Sequence, residues 1–517
     1  MPETGSNLDQ VDGTTAAGEA ECVVDAEASV DQLVDVGRAA RQGGLWSVIS
    51  YAFAKVFGFA SSIVLARFLE PKHFGLIGMT NTVLGMVQVI GVLGISAAIM
   101  QQKDDVDEYA NTGWWMDVIC GVSLFVLSNA IAPVASLYYH EPYLRLLVFV
   151  ASINFLINPI GMTMDVLLRR SLLFKLSTRI TLAQGLVASV FTIILACCGA
   201  GVWSFVIPHL IAGVLSVVLR WRACGFRPKI KIRWDLASGI WRFGRNFLGS
   251  SVFDFINQNA DFVLVGGFLG GVKLGLYSFA YGLGTWVVSN ITGTISSVLF
   301  PTISSIKDDR ERVHRLFLKL ILVVAAAGFP IVCIQWAVAP LFISAIYGEK
   351  WQGAVTAFRL ISIYGMSRAV CQPGTTLISA TGRPEIAFRL SALTCPVLVT
   401  AVTIGRLYGI NGVALATALA HGTFIWFYII IPFRCLGWNP MDAARVMFAP
   451  FTCAVLAGLL CAGLYGLMGH PTGSLVALGL LLAAGGLAYL GSYRLFFPTA
   501  GSELMGVLRS TFREVHS

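Results

Sequence analysis

The sequence predicts an all-α polytopic membrane protein of fourteen transmembrane helices, arranged as two pseudo-symmetric six-helix lobes around a central cavity plus two C-terminal helices. Three observations carry this reading. Of 517 residues, 56% are hydrophobic and only 12% are charged, and the mean hydropathy of +0.75 lies far outside the range of soluble domains. Apolar runs of about 20 residues, enough to cross some 30 Å of hydrocarbon, recur from residue 44 onward. Finally, Ala66-Arg67-Phe68-Leu69 followed by Phe74-Gly75-Leu76 is echoed 200 residues later by Gly266-Gly267-Phe268-Leu269 followed by Leu274-Gly275-Leu276. An even number of helices per repeat makes both halves enter the membrane from the same side.

The first 43 residues hold nine Asp or Glu against Arg38 and Arg41, too little apolar surface to offset the entropy of ordering. They read as a disordered acidic cytoplasmic tail, with no cleavable signal peptide expected. The N-terminal lobe (44–221) holds apolar runs at 44–68, 74–100, 113–138, 144–167, 179–198 and 201–220. A basic cytoplasmic linker (222–244) follows, in which Arg222, Arg227, Lys229, Lys231 and Arg233 alternate with Trp234 and Trp241. This composition suits an anionic leaflet, and nucleic acid is not an expected partner. The C-terminal lobe (245–433) holds runs at 245–269, 274–299, 315–339, 354–379, 386–407 and 411–433. Two more helices, at 446–468 and 474–495, lie within 434–495, and a cytoplasmic tail occupies 496–517.

Lys and Arg fix the expected orientation. With the N-terminus inside, cytoplasmic segments hold 27 basic residues and the outside loops hold five: Lys72, Arg145, Lys273, Lys350 and Arg406. Both termini are therefore expected in the cytoplasm. The eleven cysteines form no CxxC pair and read as reduced and structural.

Candidate functional residues come from polar stripes on otherwise apolar helices. Asp254, Asn257, Gln258 and Asp261 fall at helical spacings of three, four and seven, on one face. An ionised carboxylate at mid-bilayer costs about 2.5 to 3.5 kcal/mol on insertion scales, so this face should look into a cavity or toward a partner. Tyr51 and Lys55 on helix one, Asn81 and Gln88 on helix two, Tyr277 and Tyr281 on helix eight, and Arg359, Arg368 and Gln372 on helix ten complete a candidate cavity lining. Asp254 and Asp261 are candidate sites for a coupling proton or sodium ion, and Lys55 is a candidate partner for Asp254 across the lobes. Small and polar residues also serve as ordinary glue between membrane helices, which is the competing reading for the Ser, Thr and Gly positions. Arg67 is expected to snorkel outward, and Asp117 to favour the positive end of helix three.

Enzymatic motifs are absent. The chain has no GxxxxGK[ST] phosphate loop, no HExxH and no GxSxG, and no large outside loop to house catalytic groups. It is expected not to be an enzyme and to need no cofactor beyond a coupling ion.

A family pattern emerges from Ala66-Arg67-Phe68-Leu69 with Phe74-Gly75, Leu168-Arg169-Arg170 with Phe174-Lys175, and Asp261 followed by Gly275-Leu276-Tyr277 and Ala280-Tyr281. Leu299-Phe300-Pro301, Tyr347-Gly348-Glu349-Lys350-Trp351 and Ala380-Thr381-Gly382-Arg383-Pro384 extend it, so that the match spans about residues 44 to 435. In these stretches the chain resembles the polysaccharide transporter (Wzx-type flippase) branch of the multidrug/oligosaccharidyl-lipid/polysaccharide exporter superfamily, related to MurJ. The resemblance implies a flippase for polyprenyl-diphosphate-linked oligosaccharides in a bacterial inner membrane, working by alternating access. It also implies a cavity lined by helices one, two, seven and eight. The implied partners are the lipid-linked glycan, membrane lipids, and a polysaccharide polymerase with its chain-length and export machinery. The alternatives are a MATE-like exporter of organic cations, sharing the fold, and an integral-membrane glycan polymerase or transferase.

Overall fold

The computed structural model describes residues 57–91, 95, 99–100, 105–171, 173–230, 233–306, 309–381 and 383–497, and every long element among them is a helix. Tyr51 and Lys55, the acidic tail 1–43 and the C-terminal tail 496–517, except for Phe496 and Phe497, lie outside the described residues. We number the helices α1 (Phe57–Phe68), α2 (Pro71–Gln88), α3 (Val106–Tyr139), α4 (Leu144–Ser152), α5 (Asn154–Arg170), α6 (Phe174–Cys197) and α7 (Trp203–Ala223). They continue as α8 (Trp234–Leu269), α9 (Gly271–Ile306), α10 (Arg310–Ile346), α11 (Val355–Ala380), α12 (Pro384–Gly405), α13 (Gly409–Cys435), α14 (Pro440–Leu467) and α15 (Leu475–Phe496). Nine stretches among the described residues are long and apolar enough to cross a membrane. This is a multi-pass membrane fold. The helices α8, α9 and α11 are not among these nine.

The expected fourth span is formed by α4 and α5 together, which meet at Ile153 without leaving helical backbone angles, and Asn129 Nδ2 donates to Ser152 Oγ beside it at 3.1 Å. Two details differ from expectation. Helix α8 starts at Trp234, inside the expected linker, so that less of the linker is extended chain. Asp117 lies three turns into α3, buried, with Thr163 Oγ1 donating to it at 3.1 Å; a neighbouring hydroxyl and not the helix terminus compensates it.

The extended part of the linker is tied to the start of α3. Lys229 N donates to Asn111 Oδ1 at 2.6 Å, and Trp115 Nε1 donates to the Lys229 carbonyl at 2.8 Å. Arg233 pairs with Glu108.

The repeat seen in the sequence becomes a reciprocal contact. Helices α2 and α9 begin at positions 71 and 271, and their first turns meet backbone to backbone. A Cβ placed on Gly75 would lie 1.9 Å from the Gly271 carbonyl oxygen, and one on Gly275 would lie 1.8 Å from the Pro71 carbonyl oxygen. Only glycine permits this approach. Gly78 faces Ser278 in the same register, where an added Cβ would come within 2.8 Å of Ser278 Oγ.

At the same end, which we call the Gly348 end, two cations cap helices in trans. Arg67, at the end of α1, donates from Nε to the Ile346 carbonyl at 2.6 Å and from Nη2 to the Ala345 carbonyl, both in the last turn of α10. Lys350, just past α10, donates to the carbonyls of Arg67 and Leu69 at 2.8 Å each. Helix C-termini leave carbonyls unpaired and carry negative partial charge, so each helix end receives the cation that the other supplies. Arg67 thus reaches across the fold, where outward snorkelling was expected. Trp351, fully buried, donates from Nε1 to the Ala66 carbonyl at 2.9 Å and stacks on Phe279 at 4.0 Å.

These contacts close the Gly348 end. In a cysteine-free background, Leu274→Cys, buried in this closure, should label slowly with a membrane-impermeant thiol reagent. Adding Arg67→Gln and Lys350→Gln removes charge-assisted bonds worth about 1.5 to 3 kcal/mol each and should raise the labelling rate at least severalfold. An unchanged rate would show that the bonds do not hold this end shut.

Candidate functional site

A polar cluster on α8 is met by side chains from four other helices. Asp261 is 3% exposed and accepts from Tyr277 Oη on α9 at 2.6 Å and from its neighbour's backbone, Phe262 N, at 2.9 Å. Tyr281, one turn beyond Tyr277, shares a hydrogen bond of 3.2 Å with Tyr364 Oη on α11. Arg368, one turn beyond Tyr364, donates from Nη2 to Gln258 Oε1 at 2.9 Å, closing the path back to α8. The ring of His421 on α13 packs edge-on against Tyr364 at 4.6 Å, and its Nδ1 lies 3.1 Å from the Thr417 carbonyl.

Asp254 lies two turns before Asp261 and is exposed. Its Oδ1 accepts from Ser391 Oγ on α12 at 3.2 Å, while Asn257 Nδ2 donates to the Ser391 carbonyl at 2.9 Å. Asn257 Oδ1 is buried and has no hydrogen-bond partner. A carboxylate, a hydroxyl and an orphan amide oxygen therefore converge where α8 meets α12. This is a donor set of hard oxygens of the kind a small cation takes. No cluster of three His, Cys, Asp or Glu side chains occurs among the described residues, so a multi-carboxylate centre is not formed there.

The N-terminal half reaches this region through α2. Gly85 lies against Phe255 of α8, where an added Cβ would come within 3.1 Å of the ring. Asn81 and Gln88 sit one turn to either side of Gly85 and are exposed. The seam between α2 and α8 is thus bordered by amides from one side and by Asp254 and Gln258 from the other.

Of the residues expected to line a cavity, the structure brings together Asn257, Gln258, Tyr277, Tyr281 and Arg368 with both aspartates, and places Asn81 and Gln88 beside them. Gln372 lies one turn beyond Arg368 on the same face and is exposed. Arg359 does not belong. At about 100° per residue, nine positions separate it from Arg368 by about 180° on α11, so the two arginines point to opposite sides. Arg359 instead donates from Nε to the Trp336 carbonyl at 2.9 Å and lies over the Trp336 ring at 4.7 Å. Tyr364, Ser391 and His421 also join the cluster. Tyr364 was reachable as the residue four before Arg368, but Ser391 stands in an apolar run that gives no sign of its neighbour.

Arg368 is the cation that this arrangement offers to a ligand. Gln258 and Tyr364 hold it in place, accepting from Nη2 at 2.9 Å and from Nη1 at 3.4 Å, and a guanidinium carries five N–H donors, a charge-assisted set of the kind an anion prefers.

A helical membrane bundle that gathers charged, amide and phenol side chains among its helices has the construction of a membrane carrier. The family model described as "Polysaccharide biosynthesis protein" matches residues 64–356, more than half of the chain, and the chain belongs to that family. It is 26% identical over 477 residues to the teichuronic acid biosynthesis protein TuaB of Bacillus subtilis, covering 90% of this chain and 97% of that protein. With the lipopolysaccharide biosynthesis protein WzxC of Escherichia coli it shares 25% identity over 402 residues, covering 75% of this chain and 80% of that protein. Its fold matches the lipid II flippase MurJ in an inward closed conformation, with a TM-score of 0.69 at 13% identity, over 88% of this chain and 99% of that one.

Tyr277→Phe removes one hydroxyl and leaves the Asp261 carboxylate with backbone donors alone. It should destabilise the protein by about 1 to 3 kcal/mol in detergent unfolding experiments. Adding Asp261→Asn should recover part of that loss; two strictly additive losses would mean that the pair is not coupled.

Proposed function

We propose that the protein is a flippase that moves a polyprenyl-diphosphate-linked oligosaccharide repeat unit from the cytoplasmic to the outer leaflet of a bacterial inner membrane, for assembly into a surface polysaccharide. It works by alternating access between two six-helix lobes, in a fourteen-helix chain with both termini in the cytoplasm. Membership of the polysaccharide biosynthesis family and the likeness to TuaB, WzxC and MurJ support this reading. The observation that carries it is Arg368, a guanidinium held by Gln258 among aromatic and amide side chains. A diphosphate needs such a donor, and a sugar needs flat rings and amides, which Tyr281, Gln258, Asn81 and Gln88 supply. Lys55 is a second cation for the diphosphate on this reading, and Tyr51 a further ring for the sugar.

The coupling ion is a sodium ion or a proton at Asp254, with Ser391 Oγ and Asn257 Oδ1 as further oxygen ligands. Asp261, closed off by Tyr277, sets the local field and anchors α8 to α9. A polysaccharide polymerase and the export machinery would receive the product. An exporter of organic cations would share the fold, yet a fixed guanidinium in the seam repels such cargo.

Arg368→Gln should slow delivery about 10- to 100-fold, the equivalent of one charge-assisted bond to phosphate. The lipid-linked glycan should then accumulate on the cytoplasmic side. Normal surface polysaccharide combined with drug sensitivity would transfer the protein to the exporter class. Asp254→Asn should abolish the dependence of transport on the ion gradient while the protein remains inserted.

A further inference from the structure

Arg359 has no place in the transport seam, yet it is an arginine within a membrane-spanning helix. Such a charge demands compensation. Among the described residues no carboxylate pairs with it. What holds it is specific: the Trp336 carbonyl would normally accept from the backbone N–H four residues on, but that residue is Pro340, which has none. The freed carbonyl takes Arg359 Nε at 2.9 Å, and the indole of Trp336 lies against the guanidinium at 4.7 Å. Nη1 and Nη2 have no protein partner among the described residues.

Directly below this fixed cation lies an apolar cleft of about 400 Å³ between α10, α11, α13 and α14, lined by Phe329, Trp336, Ile363, Val370, Val455 and Leu459 among others. On α11, Arg359 stands one turn from Ile363 on the same face, toward the Gly348 end. On α14, Tyr465 stands about one turn beyond the last lining residue, Ala462. On α10 the lining runs from Phe329 to Trp336, about 10 Å of helix. The cleft thus has a greasy trough and a cationic, aromatic rim at one end. It opens on the side of α11 opposite Arg368, so a molecule bound at the seam does not occupy it.

We propose that this cleft is a binding site for an anionic phospholipid, with one acyl chain in the trough and the phosphate on Nη1 and Nη2 of Arg359. Charge complementarity selects the headgroup, since an arginine fork matches phosphate oxygens and the rim offers no carboxylate to a choline or ethanolamine. The site is independent of the transported cargo.

The test is native mass spectrometry of the full-length protein released from nanodiscs containing both phosphatidylglycerol and phosphatidylcholine. Wild type should retain phosphatidylglycerol preferentially, and Arg359→Gln should weaken that preference about tenfold. Arg406→Gln removes another cation at the Gly348 end, one lying over Phe268 at 3.6 Å, and should leave the preference intact. Val455→Trp fills the trough while keeping the charge and should also abolish retention; it decides the matter alone if Arg359→Gln fails to fold. Undiminished preference in Arg359→Gln or Val455→Trp, or an equal loss in Arg406→Gln, would overturn the site.

Discussion

Hydrocarbon solvates no ion, so every charge placed among these helices must be compensated by the protein itself. At four of these charges the fold meets this demand with neutral dipoles. Asp261 rests on a phenol and a backbone N–H, Asp117 on a threonine hydroxyl, Arg368 on a glutamine carbonyl and Arg359 on a backbone carbonyl with an indole face. Among the described residues none of the four makes a direct ion pair. Neutral partners restrain a charge without cancelling it, so its field still extends into the surroundings. A buried ion pair would have spent that field internally and made each charge costly to separate.

The second organising feature is the reciprocal meeting of α2 and α9. Two glycines admit a backbone approach that any side chain would forbid, and the crossed caps of Arg67 and Lys350 stand beside it. Both kinds of contact join the N-terminal half of the chain to the C-terminal half. They concentrate at one end, while the polar cluster of Asp254, Gln258 and Arg368 lies on α8 and α11.

Much of this was legible in the sequence, and the failures are instructive. The spacing of Asp254, Asn257, Gln258 and Asp261 announced one polar face because a helix imposes its period on any ionisable group that must avoid lipid. The offset of 200 residues matched the stretch around Gly75 with the stretch around Gly275. It could not announce that Gly75 and Gly275 would touch each other's helices, since repeat matching says nothing about distance. Arg359 was grouped with Arg368 because both are arginines on one helix; their nine-residue separation already placed them on opposite faces. Arg67 read as a snorkelling residue because its acceptors, nearly 280 positions away, are backbone carbonyls, which no sequence pattern marks. Ser391 could not be found for a similar reason: its importance comes entirely from Asp254 and Asn257 on another helix.

The pinned linker has a mechanical consequence. Because Lys229 is held by both Asn111 and Trp115, the stretch before Trp234 must travel with α3, and any swing of α8 begins close to its first residue. With 36 residues at about 1.5 Å each, α8 is a lever arm of about 54 Å, whose tip would sweep about 9 Å for a tilt of about 10°. Asp254 and Asp261 ride on its outer half, so a modest rotation near the fulcrum translates into a displacement of several ångströms at the carboxylates.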